Sequence, residues 1–420
     1  QSCYLNSSCG VLLVGNANLM AQDLPSLQSR FSEYSDHSTQ HEVVDESVHL
    51  HVSVNTCNSI YSFMDSEDLN DIDVSQVEQN AESQYLKATN IDNYVETDSE
   101  TRSNEKIIDQ VLESSTRSNT GRLIMPLPWH PKASQNLANN FKLAVKVLNG
   151  LHKKLSREQD LLKMYDQVFK EQEEKGIIKP IYEVNNYVKN NPDASFLAHM
   201  SVVRMDRLTS KLRVVFLANL CEGLKDGKFN HNMALLPGPC LNRDVVFSLI
   251  SARFDTHLFI YDLKKAFSQI ELFDKDKRLL NFLWFRDIDD PKKELVIYEP
   301  QRLPFGLRSS PCILMLGLYK ILVKDRENDN DHVKQICKLG FENLYMDNGI
   351  YSSCNSENLL EGYRVLENVL GQYHFDLQQV HSNSAEFNKK VNNEELDDTN
   401  KDIKLLGMLW NKLDDKIGPN

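Results

Sequence analysis

The sequence predicts an α+β fold with a largely disordered acidic segment in front of it. Three observations carry this. From about residue 197, short apolar runs and turn-forming residues alternate with helical patterns, but without the strict β-α repeat of a doubly wound sheet. Before them, apolar residues recur every three or four positions over two stretches. The first 120 residues hold 20 acids against 5 bases, which leaves 40 acids and 42 bases for the remaining 300. The overall charge of -13 therefore belongs to the leader, and the near-neutral remainder is compatible with a basic face for a polyanion.

In order along the chain, residues 1 to 120 contain one apolar run, Gly10-Val11-Leu12-Leu13-Val14-Gly15, followed by a stretch rich in Ser, Asn, Asp and Glu. Such a stretch buries too little apolar surface to offset its ordering entropy, so residues 21–120 read as an acidic flexible linker. Pro126, Pro128 and Pro131 break the chain around Leu127 and Trp129. Leu137, Phe141, Ala144, Leu148, Leu151 and Leu155 then mark an amphipathic helix. A second helix is expected from Ser156 as N-cap, carrying Leu161, Leu162, Tyr165, Val168 and Phe169, and ending at Lys175-Gly176. The pattern stops short of a sustained heptad, so two helices packed on one domain are expected rather than a coiled coil.

Strands are expected at His199 to Arg204, Leu212 to Leu217 and Leu258 to Tyr261, with turns at Gly223, Gly227 and Pro237-Gly238-Pro239. Helices should follow Asn242-Arg243-Asp244 through Ala252, Lys264 briefly, Ser309-Ser310-Pro311 through Val323, and Ser356 through Tyr373. No apolar run reaches the roughly 20 residues that span a bilayer, so no membrane contact is expected. The chain starts with Gln and lacks a charged start before an apolar stretch; no signal peptide is expected, and the sequence reads as a piece of a polyprotein. Eight cysteines without a CxxC pair read as reduced core or surface thiols of an intracellular protein.

Two acids stand at the ends of apolar runs. Tyr345-Met346-Asp347-Asn348, between Leu344 and Gly349-Ile350-Tyr351, reads as strand, tight turn and strand with a carboxylate at the bend. Asp262 ends Leu258-Phe259-Ile260-Tyr261, 85 positions earlier. Two carboxylates meeting at one sheet edge are what a two-metal phosphoryl-transfer site needs, and Mg2+, or Mn2+ in its place, prefers such oxygen ligands. Each acid also has a structural reading: Asp347 as the cap of an Asn348-Gly349 hairpin turn, Asp262 as the N-cap of a helix opening at Leu263.

Six segments in order carry a family resemblance: Lys211-Leu212-Arg213-Val214-Val215-Phe216, Leu236-Pro237-Gly238-Pro239, Tyr261 to Ile270, Leu303-Pro304-Phe305-Gly306-Leu307-Arg308-Ser309-Ser310-Pro311, Tyr345-Met346-Asp347-Asn348, and Lys404 to Trp410. The series resembles the reverse transcriptase of long-terminal-repeat retrotransposons of the Pao (BEL/Pao) group, over about 120 to 420. The resemblance implies a fingers and palm fold with an antiparallel palm sheet, with 121–196 as its helical N-terminal part and 197–420 as fingers, palm and the start of the thumb. It implies RNA-directed and DNA-directed DNA synthesis, with a template-primer and deoxynucleoside triphosphates as partners, and RNase H and integrase domains downstream in the polyprotein. Residues 1–20 are similar to the closing strand of a retropepsin-like protease, without its Asp-Thr/Ser-Gly triplet.

Residue by residue, the resemblance makes Asp262 and Asp347 the metal ligands, with Asn348 beside them in the catalytic group. Lys211 and Arg213 become the clamp on the incoming triphosphate, where a solvated strand face is the structural alternative. Phe267 becomes the aromatic under the sugar that collides with a 2′-hydroxyl, with an ordinary core aromatic as its alternative. Phe305 and Gly306 form the loop against the nascent pair, and Gly407 to Trp410 the hairpin at the primer end. Three positions depart from the family: Asn348 and Leu217 where it has Asp, and Gln379 where it has Lys. These departures define the other expectation, a catalytically decayed remnant that only binds nucleic acid. A two-metal nuclease is the third reading, disfavoured because Phe267 and the clamp serve a nucleotide rather than a water.

Overall fold

The computed structural model describes residues 3–7, 10–14, 98–137, 139–203, 212–220, 227–243, 245–251, 253–290, 294–327, 329–393 and 402–419. Its strands are β1 (Cys3–Ser7), β2 (Gly10–Val14), β3 (Thr116–Arg117), β4 (Leu123–Met125), β5 (Ile178–Ile181), β6 (Ala198–Val203), β7 (Leu212–Leu217), β8 (His257–Leu263) and β9 (Glu271–Leu272). They continue with β10 (Phe282–Phe285), β11 (Leu295–Pro300), β12 (Leu344–Tyr345), β13 (Asn348–Ser353), β14 (Leu377–Ser382), β15 (Asp402–Leu405), β16 (Met408–Asn411) and β17 (Lys416–Pro419). The longer helices are α1 (Asp98–Ser114), α2 (Phe141–Leu155), α3 (Gln159–Glu174), α4 (Ser310–Leu322), α5 (Asp331–Glu342) and α6 (Ser356–Gly371). Helices and mainly antiparallel sheets are mixed as α+β predicts; β4 beside β9 is a parallel pair.

The sheet that carries Asp262 has the order β12-β13-β8-β14, every pair antiparallel. β8 is central and nearly all apolar, which suits a strand covered on both faces. Alternation divides its side chains. Phe259, Tyr261 and Leu263 join the main core with residues of α4, α5 and α6 such as Leu314, Ile336 and Leu366. Leu258 and Ile260 turn the other way and form a second cluster with Ile350, Leu405 and Trp410, so the β15-β16 hairpin covers part of that face. Arg253 fastens this C-terminal sheet by an ion pair of 2.6 Å to Asp415, whose carboxylate also accepts from Trp410 Nε1 at 3.0 Å.

The same main core packs α3 against β6, β7 and the β10-β11-β5 sheet around Tyr165, Phe169, Phe282 and Trp284, where full burial of each ring contributes about 1.5–3 kcal/mol. His199 lies inside it as a neutral imidazole, its Nε2 2.8 Å from the Leu283 carbonyl and its Nδ1 2.8 Å from the Tyr165 hydroxyl. Burial holds its pKa down at about 4, opposed by the bond to Leu283. The proline segment is tied by Asp276, which accepts from Leu127 N at 2.9 Å and Trp129 Nε1 at 2.8 Å.

Local physics moved several boundaries. Leu137 bridges Phe229 rather than opening α2, which starts at Phe141. Ser156 is the C-cap of α2, its hydroxyl donating to the His152 carbonyl at 2.8 Å, so the N-cap of α3 falls on Glu158. Gly176, at φ 61°, ends that helix as expected. The linker expected to run to 120 gives way earlier: α1 begins at Asp98 and buries Ile107, Val111 and Leu112 in the main core. Its apolar residues fall at helical spacing inside an acidic background, and the composition of the whole stretch hid them. The rest of the linker, residues 21–97, lies outside the described residues. Gly10–Val14, the run likened to a protease strand, pairs with Cys3–Ser7 as an antiparallel hairpin.

Candidate functional site

The site lies where β8 ends. In β13, Asn348 is the direct partner of Asp262; in β14, Gln378 is its direct partner on the other side. Residues directly opposite one another share a face, so Asn348, Asp262 and Gln378 form one row on the side of the sheet that also carries Leu258 and Ile260. Asp347 sits in the two-residue turn Met346-Asp347 between paired residues Tyr345 and Asn348. Met346 has φ 58°, the left-handed conformation such a turn requires. The turn is anchored twice: Leu263 N donates to the Asp347 carbonyl at 2.7 Å, and Met346 N to Asn242 Oδ1 at 3.1 Å.

Both structural alternatives for the acids fail in their specific form. Asp262 is inside strand β8 and caps no helix. Asn348 and Gly349 belong to strand β13, so the hairpin turns one step earlier. The glycine is needed for another reason: a Cβ on Gly349 would run into the ring of Tyr261, its partner in β8.

The two carboxylates feel each other. Burial pushes the Asp262 carboxyl above its usual range, the Gln378 amide pulls it back, and the charge of Asp347 adds to the rise. The Gln378 amide donates to Asp262 Oδ2, and Asn348 Nδ2 donates to Asp347 Oδ1 at 3.2 Å. The donors gathered here are hard oxygens, which fit Mg2+ or Mn2+ and not a soft metal. Among the described residues no group of three or more His, Cys, Asp or Glu is placed to hold a metal ion. A cation here would rest on Asp262 and Asp347 and complete its shell from the Asn348 carbonyl, water or phosphate oxygens.

Of the other expected residues, Lys211 lies outside the described residues, and Arg213 stands in β7 opposite Val202. Phe267 lies in the short turn of helix Ala266–Gln269 that follows β8, reached through Lys265 at φ 50°. Its ring is partly buried against the main core and meets Phe305 edge-on at 5.4 Å, while Phe305 is 60% exposed. Gly306 has φ 106°, and a Cβ there would touch the Phe216 carbonyl at 3.4 Å. The Phe305-Gly306 loop, the β7 backbone and Phe267 are thus brought together, five residues along the chain from Asp262 at the nearest.

Of the departing positions, Leu217 ends β7, and Gln379 takes φ 50° in an irregularity where β14 shifts register between Gln378 and His381. Sequence reasoning singled out Gln379 and passed over Gln378, the residue that reaches Asp262. The bulge decides which of the two faces the acid, and a run of two glutamines gives no signal for it. Asn242 was also missed, because its contact to Met346 spans 104 residues.

No family model and no curated protein matches this sequence. Among solved structures, the chain is similar to a foamy viral protease-reverse transcriptase determined in complex with double-stranded DNA, at 14% identity and a TM-score of 0.38. The likeness covers 61% of this chain and 34% of that one, so the match spans about a third of the viral protein's length. Among the described residues, no helix is long and apolar enough to cross a membrane.

Proposed function

We propose that this chain is the fingers and palm of a reverse transcriptase of the Pao retrotransposon type, an RNA- and DNA-directed DNA polymerase within a Pol polyprotein. One observation carries the reading: the turn holding Asp347 is bonded to the end of β8, so two acids far apart in sequence stand close enough at one end of one antiparallel sheet to act on each other's charge. Divalent magnesium, when bound, supplies charge to ease ionisation of the primer 3′-hydroxyl and departure of pyrophosphate. The chain's own part is to position. Asp262 and Asp347 hold the ions, Phe267 and the Phe305-Gly306 loop pack against the incoming deoxynucleotide, and Lys211 with Arg213 grips its triphosphate. Template-primer duplex lies over the open face, and RNase H and integrase domains follow in the polyprotein.

A second reading, a silent remnant that only binds duplex, is favoured by one specific contact: Asn348 stands where a further carboxylate would add charge, and donates to Asp347 instead. Primer extension on an RNA template with Mg2+ separates the two. The polymerase reading expects incorporation, increased by Asn348→Asp. Salt-sensitive duplex binding with no incorporation by either protein, both folded, selects the remnant.

A further inference from the structure

We infer that Gln378 is a positioning residue that competes with the cation: its amide holds one of the two Asp262 carboxylate oxygens, and a divalent ion that takes that oxygen must turn the side chain away. The inference rests on the reading above, in which Asp262 and Asp347 hold divalent ions. Three features of the sheet lead to it.

The first is register. Gln378 lies directly opposite Asp262 and on the same face, and its Nε2 donates to Asp262 Oδ2. An amide NH2 is a donor without acceptor capacity, so in this orientation it cannot join a cation's shell. The second is the backbone. Leu377 is paired with Leu263, and Lys264 N donates to the Asp376 carbonyl at 2.9 Å, so the strand is fixed just before Gln378. Just after it, the chain enters the irregularity at Gln379. Release of Asp262 therefore falls to rotation of the side chain and not to movement of the strand. The third is repetition on the other side of the row, where Asn348 Nδ2 donates to Asp347 Oδ1. Each carboxylate thus has one oxygen bonded to an amide, and a cation that takes that oxygen must displace a charge-assisted bond.

Manganese alone, titrated calorimetrically into the full chain, tests the inference. Loss of a hydrogen bond to a charged group is expected to raise Mn2+ affinity about tenfold in Gln378→Leu. Gln378→Glu keeps the shape and replaces the amide by a third carboxylate, and is expected to bind tightest. Gln378→Ala, which also removes the amide, carries the test if the leucine variant does not fold. Asp262→Asn is expected to abolish binding. Urea midpoints taken alongside separate a change in stability from a change in affinity. Affinity unchanged or weakened when the amide is removed, in Gln378→Leu or Gln378→Ala, with Asp262→Asn still abolishing it, overturns the competition and leaves the cation reading standing. No Mn2+ binding by any protein, or binding indifferent to Asp262→Asn, overturns both.

Discussion

Replacing Gly349 by alanine tests the sheet that holds the two carboxylates together. The added methyl group would enter the ring of Tyr261, meeting Cζ, Cε1 and the hydroxyl oxygen. That ring has nowhere to go, because it is 2% exposed and lies 5.8 Å from the ring of Phe259. Nor can the strands slide, since Asn348 to Ser353 pair without interruption with Asp262 to His257, and a one-residue slip would turn every side chain to the wrong face. Overpacking of this kind costs about 1–3 kcal/mol, and the immobile ring places Gly349→Ala near 3. Tyr261→Ala alone should cost about 3–5 kcal/mol through its cavity. The double variant should be no worse than Tyr261→Ala, giving a coupling energy of about 3 kcal/mol. Urea unfolding followed by tryptophan fluorescence, at constant m-value, measures all three. Gly349→Ala within about 0.5 kcal/mol of the parent would refute the packing argument and, with it, the stated register of β8 and β13.

Asp276→Ala should cost about 3 kcal/mol in the same assay, because it leaves Leu127 N and Trp129 Nε1 without their acceptor. Burial raises the Asp276 carboxyl, so the folded chain binds a proton that the unfolded chain has released; stability contributed there falls as pH climbs from the ordinary carboxylate range through the raised value. Asp276→Asn should flatten that part of the profile. His199 and His231 are held down to about 4 from 6.5 by burial, so the unfolded chain takes up protons the folded chain refuses, and stability should fall as pH drops across that window. Each histidine contributes up to about 3 kcal/mol, read as a shift in urea midpoint between the ends of the window. Arg253→Ala should speed amide hydrogen exchange in β15 to β17 while leaving β8 protected, since its contacts to Asp415 fasten only the C-terminal sheet.

What the sequence disclosed followed from local signals. Strands β7 and β8, helices α4 and α6 and the bend at Asp347 each had a periodicity or a turn residue within a few positions. α5 was missed although Asn330 caps it through Val333 N, because its charged residues mask its short apolar stripe, of which Ile336 and Cys337 are buried. Ser156 has the residue type of a helix start, yet its hydroxyl turns back to finish the previous helix; a serine between two helices serves either end. The meeting of Asp262 with Asp347 was legible only as the edge of two separate runs. Their registration by β13, and the arrival of Gln378 from β14, depend on long-range pairing and on a bulge that no short window encodes.

Single-nucleotide incorporation by the full chain, on an annealed RNA template and DNA primer with Mg2+, tests the central claim most directly when run with Asp262→Asn, Asp347→Asn and both together. If the two acids act as one ion-holding unit, each single change removes incorporation nearly as fully as the pair, a non-additive result. Incorporation that survives either single change, in protein with an unaltered unfolding midpoint, contradicts the account.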